Sequence, residues 1–254
     1  MKKILLILVI LISAGVFIAF RNGDPAPVIA YLAKTGQLHP GELKYKIYAL
    51  GIIPVAEAAF KREVVEEYQG KRVYHLSAKA QSLKFLEKII RGSAAVDSYV
   101  EMQQLHPLLF RQRITISGKP EIAREITYDQ EQGVMTMDGV RRQILDQTHD
   151  PLSLIFNLRK ANLEIGQKFE FNINTNQKNY VFSASSEPKE LVINNQPYQC
   201  AVLKADIRRR DKNNPYHRSK VTIVFLRTET ENVPVLINVF ASGFPINIKL
   251  TGIE

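Results

Sequence analysis

The stretch "HDPLSLIFNLR", residues 149–159, interrupts a chain that elsewhere alternates polar and apolar residues. Asp150 is a favourable N-cap residue, and Pro151 suits the first position of a helix. The apolar residues that follow recur at helical spacing and cover a broad face: Leu152, Leu154, Ile155, Phe156 and Leu158. An apolar arc of this width predicts a helix over residues 151–160 that is largely buried.

The flanking chain has the period of β-strands. In "ELKYKIYAL" (residues 42–50), apolar and polar residues alternate, as in a strand with one buried face. The same pattern recurs in "KRVYHLSAKA", "LLFRQRITI", "EIAREITYD", "KFEFNIN", "NYVFSAS", "KVTIVFL" and "VPVLINVF". Turn signals such as Asp138-Gly139 separate these segments. We expect a mainly β protein, an antiparallel barrel or strongly curved sheet around one buried central helix. "QSLKFLEKIIRG" (81–92) also has helical spacing.

The first twenty residues, "MKKILLILVILISAGVFIAF", form a targeting segment. Two lysines precede an apolar run over residues 4–20, which predicts an N-terminal hydrophobic helix. Residues 1–21 are therefore a signal peptide or an uncleaved signal anchor. In either case the body is exported to the periplasm, or held there by an anchor in the inner membrane. Residues 22–40 contain three prolines, which predicts a linker. We expect residues 41–254 to form one antiparallel β-domain.

Composition constrains the partners and the redox chemistry. The chain has 254 residues, a formal net charge of +9 and a single cysteine, Cys200. One cysteine cannot form an intramolecular disulfide, and its apolar surroundings predict a buried thiol. The positive charge favours an anionic partner such as an anionic lipid or membrane surface. A nucleic acid partner is disfavoured because the body is exported.

The head of the opening stretch contains the residue types of a hydrolytic triad, His149, Asp150 and Ser153. All three fall within five positions of one helix start, and the chain has no G-x-S-x-G motif. Asp150, Pro151 and Ser153 are better explained as structural residues that begin the helix. The other histidines show no metal-ligand spacing, and no phosphate-binding loop occurs. We therefore predict no catalytic residue, metal or cofactor.

Arg159 shares the helical face of Ile155 and Phe156. If this face is buried, the guanidinium needs a partner, because an unpaired buried charge is costly. One interpretation is a cation near the helix C-terminus that reaches towards solvent. The other is a ligand site in which Arg159, Phe156 and Ile155 line a cavity and Arg159 meets an anionic head group.

The segment "IRRRDKNNPYHRSK" (residues 207–220) is strongly basic. Asn213-Asn214-Pro215 is a turn signal, so the segment reads as the tip of a hairpin. It is either a solvated loop or a contact with an anionic membrane surface. The residues concerned are Arg208, Arg209, Arg210, Lys212, Arg218 and Lys220.

Three stretches resemble a bacterial family of exported proteins, domain of unknown function 3108. They are "GELKYKIYALGIIPVAEAAF" (41–60), "DPLSLIFNLRKANLEIGQKFEF" (150–171) and "VPVLINVFASGFPINIKL" (233–250). The central stretch is similar to the family's Asp-Pro-Leu-Ser … Leu-Arg … Gly pattern. The resemblance implies an exported β-rich domain without an established activity.

Three functional hypotheses follow. The first is an exported, non-enzymatic envelope protein that binds a lipidic or other apolar ligand in a concave β-surface. The second is an envelope scaffold or interaction protein whose barrel core is filled by side chains. The third is a hydrolase, which requires a cleft where a histidine meets a serine and a carboxylate.

Overall fold

The computed structural model describes residue 29 and residues 42–86, 91–175, 177–193, 195–210, 218–241 and 244–253. The N-terminal hydrophobic helix expected at residues 4–20 and Lys212 of the basic hairpin lie outside these residues. So does the linker, apart from Ile29. Of the helices in the described part of the chain, none combines the length and hydropathy that a membrane span needs.

Fifteen strands fill most of the described chain. They are β1 Leu43–Ala49, β2 Ile53–Tyr68, β3 Lys71–Ser82, β4 Gly92–Glu101, β5 Pro107–Ile116, β6 Ile122–Asp129, β7 Val134–Met137, β8 Val140–Gln143, β9 Thr148–His149, β10 Lys168–Thr175, β11 Lys178–Ile193, β12 Gln196–Arg209, β13 Arg218–Arg227, β14 Asn232–Ala241 and β15 Phe244–Ile253. Helix α1, Pro151–Lys160, separates β9 from β10. The predicted mainly β class and the helix over residues 151–160 are confirmed.

All fifteen strands form one sheet, in the order β8-β7-β6-β5-β4-β3-β2-β1-β15-β14-β13-β12-β11-β10-β9. Neighbouring strands are antiparallel, except for the short parallel pair β9–β10. The first and last strands of the domain, β1 and β15, pair with each other in the middle of this order. The centre of the chain, from β8 to β9, therefore supplies both edges of the sheet.

The sheet curls around α1. The helix contacts β3 and β4 in one half of the sheet and β10 and β14 in the other. β4 and β10 are nine strand steps apart, which would be about 43 Å in a flat sheet. One helix has a diameter of only about 10–12 Å. Both halves can reach it only if the sheet is strongly curved, with α1 on the concave face.

The two edges of the sheet approach each other without pairing. Asn179 Nδ2 in β11 donates to the carbonyl oxygen of Gln143 in β8 at 3.1 Å. Asn172 Nδ2 in β10 donates to the Asp146 carbonyl oxygen at 2.8 Å. Gln130 and the backbone of Thr148 exchange two further hydrogen bonds. Side chains thus join the edges along a seam, and the sheet is barrel-like but not closed.

Helix α1 begins with a capping box. Asp150 Oδ1 accepts hydrogen bonds from the backbone N–H groups of Leu152 and Ser153, at 2.7 and 2.9 Å. The Ser153 hydroxyl accepts one from the Asp150 N–H at 3.0 Å. Ser98 in β4 donates to Asp150 Oδ2 at 2.5 Å. Two orphan donors of the helix are thereby satisfied, and its start is tied to one half of the sheet.

The helix lies between two apolar clusters. Phe156 packs in the first, cluster 1, which includes Leu43, Tyr45, Phe60, Leu76 and Val100. Leu154 and Leu158 pack in the second, cluster 2, together with residues of strands β10–β13. Cluster 1 also contains Ile29 and the Cys200 thiol, whose pKa burial raises to about 11.

The segment with helical spacing, residues 81–92, does not begin as an α-helix, and residues 87–90 lie outside the described part of the chain. β3 continues to Ser82 and β4 begins at Gly92, with only a 3₁₀ turn, Lys84–Leu86, in the described part between them. None of the three residues in this turn is buried. Leu86 is partly buried against a small cluster formed by Ala49, Val55 and Ala56.

We expect Phe156→Ala to lower the free energy of unfolding by about 3–5 kcal/mol, because removing a fully buried ring leaves a cavity. The Phe156 side chain is 0% exposed and packs edge-on against Tyr74 at 5.1 Å between ring centroids. Urea unfolding followed by circular dichroism measures the change. Phe240, which is 50% exposed, provides the matched control, with an expected loss of at most about 1 kcal/mol. Equal effects of the two substitutions would show that Phe156 is not a core residue.

Stability should depend on pH through Asp150. Burial raises the pKa of this carboxyl to about 6, while its hydrogen bonds from Ser98, Ser153 and Leu152 act in the opposite direction. A carboxyl that binds its proton more tightly when folded adds stability that is fully present below about pH 4 and is lost as the pH rises through 6.

We therefore expect Asp150→Asn to lose stability relative to wild type as the pH falls from about 7 to about 4, by on the order of 3 kcal/mol. Urea unfolding at a series of pH values measures this difference. Burial lowers the pKa of the neighbouring His149 to about 3, but this histidine is present in both proteins and its effect largely cancels. Asp138→Asn, in the exposed β7–β8 turn, is the control. A difference between Asp150→Asn and wild type that stays constant with pH would contradict the expectation.

Candidate functional site

Arg159 meets a protein carboxylate. Its Nη2 donates to Glu231 Oε1 at 2.9 Å, and the two side chains are only 4% and 3% exposed. The guanidinium carbon lies 5.1 Å from the centroid of the Phe60 ring, within reach of a cation–π interaction. Glu231 belongs to the β13–β14 turn, so this ion pair ties the last turn of α1 to the second half of the sheet.

Two more cations approach the same carboxylate. Arg62 Nη1 lies 3.6 Å from Glu231 Oε2, and Lys160 Nζ lies 3.9 Å from it. Burial lowers the pKa of Lys160, against the attraction of Glu231, and burial raises the pKa of the nearby Tyr45 hydroxyl. Asn232 Nδ2 donates to the Ala161 carbonyl oxygen at 2.7 Å and so helps to cap the helix C-terminus. These charged residues lie at the end of the barrel that contains the β13–β14 turn and the C-terminus of α1, which we call the helix end.

The histidine, aspartate and serine at the head of α1 serve the helix start. Ser153 is fully buried, and its hydroxyl donates to the Asp150 carbonyl oxygen at 3.1 Å. His149 Nδ1 is 3.5 Å from that hydroxyl, and burial, with the nearby His106, keeps the His149 ring neutral. The His149 ring packs against those of His106 and Phe171. His149, Asp150 and Ser153 are buried and contact one another at the helix start.

Away from the helix end, the concave face carries apolar side chains that remain partly exposed. They pack on cluster 2 but are not covered by it: Ile155, Phe169, Phe171, Ile207, Ile237 and Val239. We call these six the concave apolar surface. Strand register continues it through Ile248, opposite Ile237, to Ile47. Of the three ligand-site residues expected from the sequence, only Ile155 lies on this surface. Phe156 is core, and Arg159 is paired with Glu231.

The convex face has a different character. A groove of about 550 Å³ crosses strands β1–β5. In register across these strands, Lys44, Lys79 and Arg113 alternate with Ala59 and Ala95. Long charged side chains therefore form the walls of this groove, whereas the concave surface is apolar.

The basic hairpin residues do not form a single patch. Alternation along β12 places Arg208 on the convex face and Arg209 on the concave face, in line with Ile207. Lys220 is exposed on β13 opposite Asp206. Arg210 Nη2 donates to Asn172 Oδ1 at 2.8 Å and lies 3.4 Å from Glu170. The backbone of Arg218 begins β13.

Sequence reasoning missed the partners of the helix. Glu231 is 72 residues from Arg159, and Ser98 is 52 residues from Asp150. No local pattern connects residues so far apart. The concave position of Arg209, in contrast, could have been found from its alternation with Ile207.

Among the described residues, no group of three or more histidine, cysteine, aspartate or glutamate side chains is arranged to hold a metal ion. The arrangement that remains is a barrel-like sheet, plugged at one end by α1, with a partly exposed apolar surface inside it.

A similar fold occurs in a β-barrel-like protein of domain of unknown function DUF1849 from Brucella abortus. The TM-score is 0.59 at 10% sequence identity, over 86% of this chain and 98% of that chain. A protein from Parabacteroides distasonis described as a "putative lipoprotein" aligns over 86% of this chain and 96% of that chain, at 11% identity and a TM-score of 0.32. The first likeness shows the fold.

No curated protein matches the sequence. The sequence model of one family, described as protein of unknown function (DUF3108), matches residues 44–250 and thus most of the chain. The match includes the strand pair at the start of the domain, helix α1 and nearly all of the closing strands. The chain belongs to the DUF3108 family.

Proposed function

We propose that this chain is an exported envelope protein that binds a lipidic or other apolar ligand on the concave apolar surface. The single observation that carries the proposal is the set of partly exposed apolar side chains on the concave face. Apolar side chains on the inside of a curved sheet are usually buried by the core. Here they remain accessible, as in a binding surface for an apolar molecule.

The position of α1 supports this proposal. Its first turn is tied to the middle of β4, and its C-terminal half reaches the β4–β5 and β13–β14 turns. The helix therefore fills the barrel from its middle to the helix end. Val239 and Ile207 lie towards the opposite end, which we call the far end, and a ligand would enter there.

Export is part of the proposal. The apolar run over residues 4–20 after Lys2 and Lys3 has the pattern of a signal peptide or a signal anchor. A periplasmic protein that shields apolar molecules from water would have a use for a concave binding surface. The exposed basic residues Arg208 and Lys220 would bring it to an anionic membrane, where each contributes about 1 kcal/mol.

Substitution of the concave apolar surface tests the proposal. The uncharged fluorescent probe N-phenyl-1-naphthylamine should bind the purified protein, and the double variant Ile237→Gln/Val239→Gln should bind it at least about fivefold more weakly, because apolar contact is lost. Fluorescence titration measures the affinity. Native mass spectrometry and lipid extraction of the purified protein should recover a bound apolar molecule.

The control is Phe240→Gln, because Phe240 follows Val239 on β14 and points to the other face. It should leave the probe affinity unchanged, and circular dichroism should show that all three proteins are folded. If neither a bound lipid nor probe binding is found, or if Phe240→Gln weakens binding as much as the double variant, the proposal fails.

A further inference from the structure

A basic pocket of about 510 Å³ lies at the seam where the two edges of the sheet meet. One wall comes from the β8 side and the other from the β10–β11 turn and the end of β12. Its described lining residues are Arg142, Leu145, Gln177, Lys178, Asn179, Arg209 and Arg210. Four of the seven are cations and none is acidic. We call it the seam pocket.

Strand register places three of these cations on the concave face. Arg209 lies opposite Tyr180, which is buried in cluster 2, and Lys178 is two residues from Tyr180 on the same side of β11. Arg142 lies opposite Met135, a buried residue of the cluster formed with Phe110 and Ile126. The three cations come from three different strands and converge on one cavity.

The seam pocket adjoins the concave apolar surface. Ile207 and Arg209 are two residues apart on β12 and share its concave face, which separates them by about 7 Å along the strand. Phe171 and Phe182 lie in the same register row as Ile207. A molecule on the apolar surface could therefore extend a polar end into the pocket.

Two polar residues that line the seam pocket have partners outside it. Arg210 is held by Asn172 and lies 3.4 Å from Glu170. The Asn179 amide nitrogen is used by the Gln143 carbonyl, and its oxygen accepts from Asn174 at 2.8 Å. Lys178 and Arg209 are half-buried, so their charges are less screened than those of a solvated loop. Convergent, partly desolvated cations are the usual recognition element for phosphate.

We propose that the seam pocket binds a phosphate-bearing anionic group through Arg142, Lys178 and Arg209. The identity of this group rests on the proposed function. If an amphiphile binds with its apolar part on the concave apolar surface, the anionic group is its head group. An anion in this position contacts both edges of the sheet. It thereby links β8 to β11 and β12, which no ladder of backbone hydrogen bonds joins.

The experiment compares three probes on the full chain: inorganic phosphate, dodecyl phosphate and the uncharged detergent dodecyl maltoside. Phosphate should bind saturably at low ionic strength in isothermal titration calorimetry and raise the melting temperature. Dodecyl phosphate should bind more tightly than either of the other probes. The double variant Arg142→Gln/Lys178→Gln should weaken phosphate binding by at least about tenfold, because charge-assisted hydrogen bonds are lost.

The matched control is Arg141→Gln/Lys168→Gln, which removes the same charge. Arg141 precedes Arg142 on the opposite face of β8, where it donates to Gln132, and Lys168 is exposed at the other end of β10. It should retain phosphate binding. Equal weakening in both double variants would show non-specific attraction and would overturn the seam pocket.

The outcomes separate the two proposals. If phosphate binds and is lost in Arg142→Gln/Lys178→Gln, but the dodecyl chain adds no affinity, the seam pocket stands and the apolar-ligand function fails. If both dodecyl probes bind alike and phosphate does not bind, the apolar surface stands and the seam pocket is overturned. If none of the three probes binds, both are overturned.

Discussion

The fold depends on how one helix is held at both ends by opposite halves of a curved sheet. At its start, Ser98 of β4 donates to the Asp150 carboxylate, which also caps the helix. At its end, Glu231 of the β13–β14 turn pairs with Arg159. These buried polar contacts add little net stability, since desolvation offsets much of their attraction. They fix the position of α1 in the sheet, because any shift that broke one of these contacts would leave a buried charge without its partner.

The sheet is barrel-like because its edges come from adjacent pieces of chain. β8 and β9 are separated by only a few residues, yet they stand at opposite ends of the strand order. The chain between them brings the edges together, and asparagine and glutamine side chains bridge the remaining gap. Unpaired sheet edges can pair with other chains and so promote aggregation. Here side-chain hydrogen bonds cover the two edges, but the edge strands do not pair, so a gap remains between them. That gap is where the basic side chains of the seam pocket converge.

Much of the local structure could be predicted from the sequence for physical reasons. Asp150 and Pro151 mark the helix start because capping and a fixed φ act over a few residues. Asp138 and Gly139 mark the β7–β8 turn because both adopt positive φ there, +53° and +73°. Helical spacing was misleading over residues 81–86, where β3 continues to Ser82 and a 3₁₀ turn follows. The alternation is weaker in β12, which is apolar on both faces, since Cys200 and Val202 belong to cluster 1 and Ala201 and Leu203 to cluster 2.

The sequence alone determined the β class, many of the strands, and the buried helix with its boundaries, because periodicity and capping are encoded in neighbouring residues. It left open whether Arg159 meets a protein group or a ligand. Only the tertiary structure showed that Arg159 pairs with Glu231. The folded sheet likewise separated Arg208 from Arg209 and brought Arg142 and Lys178 towards Arg209. Each of these outcomes depends on residues tens of positions apart, whose proximity follows from the curvature of the sheet and not from any local pattern.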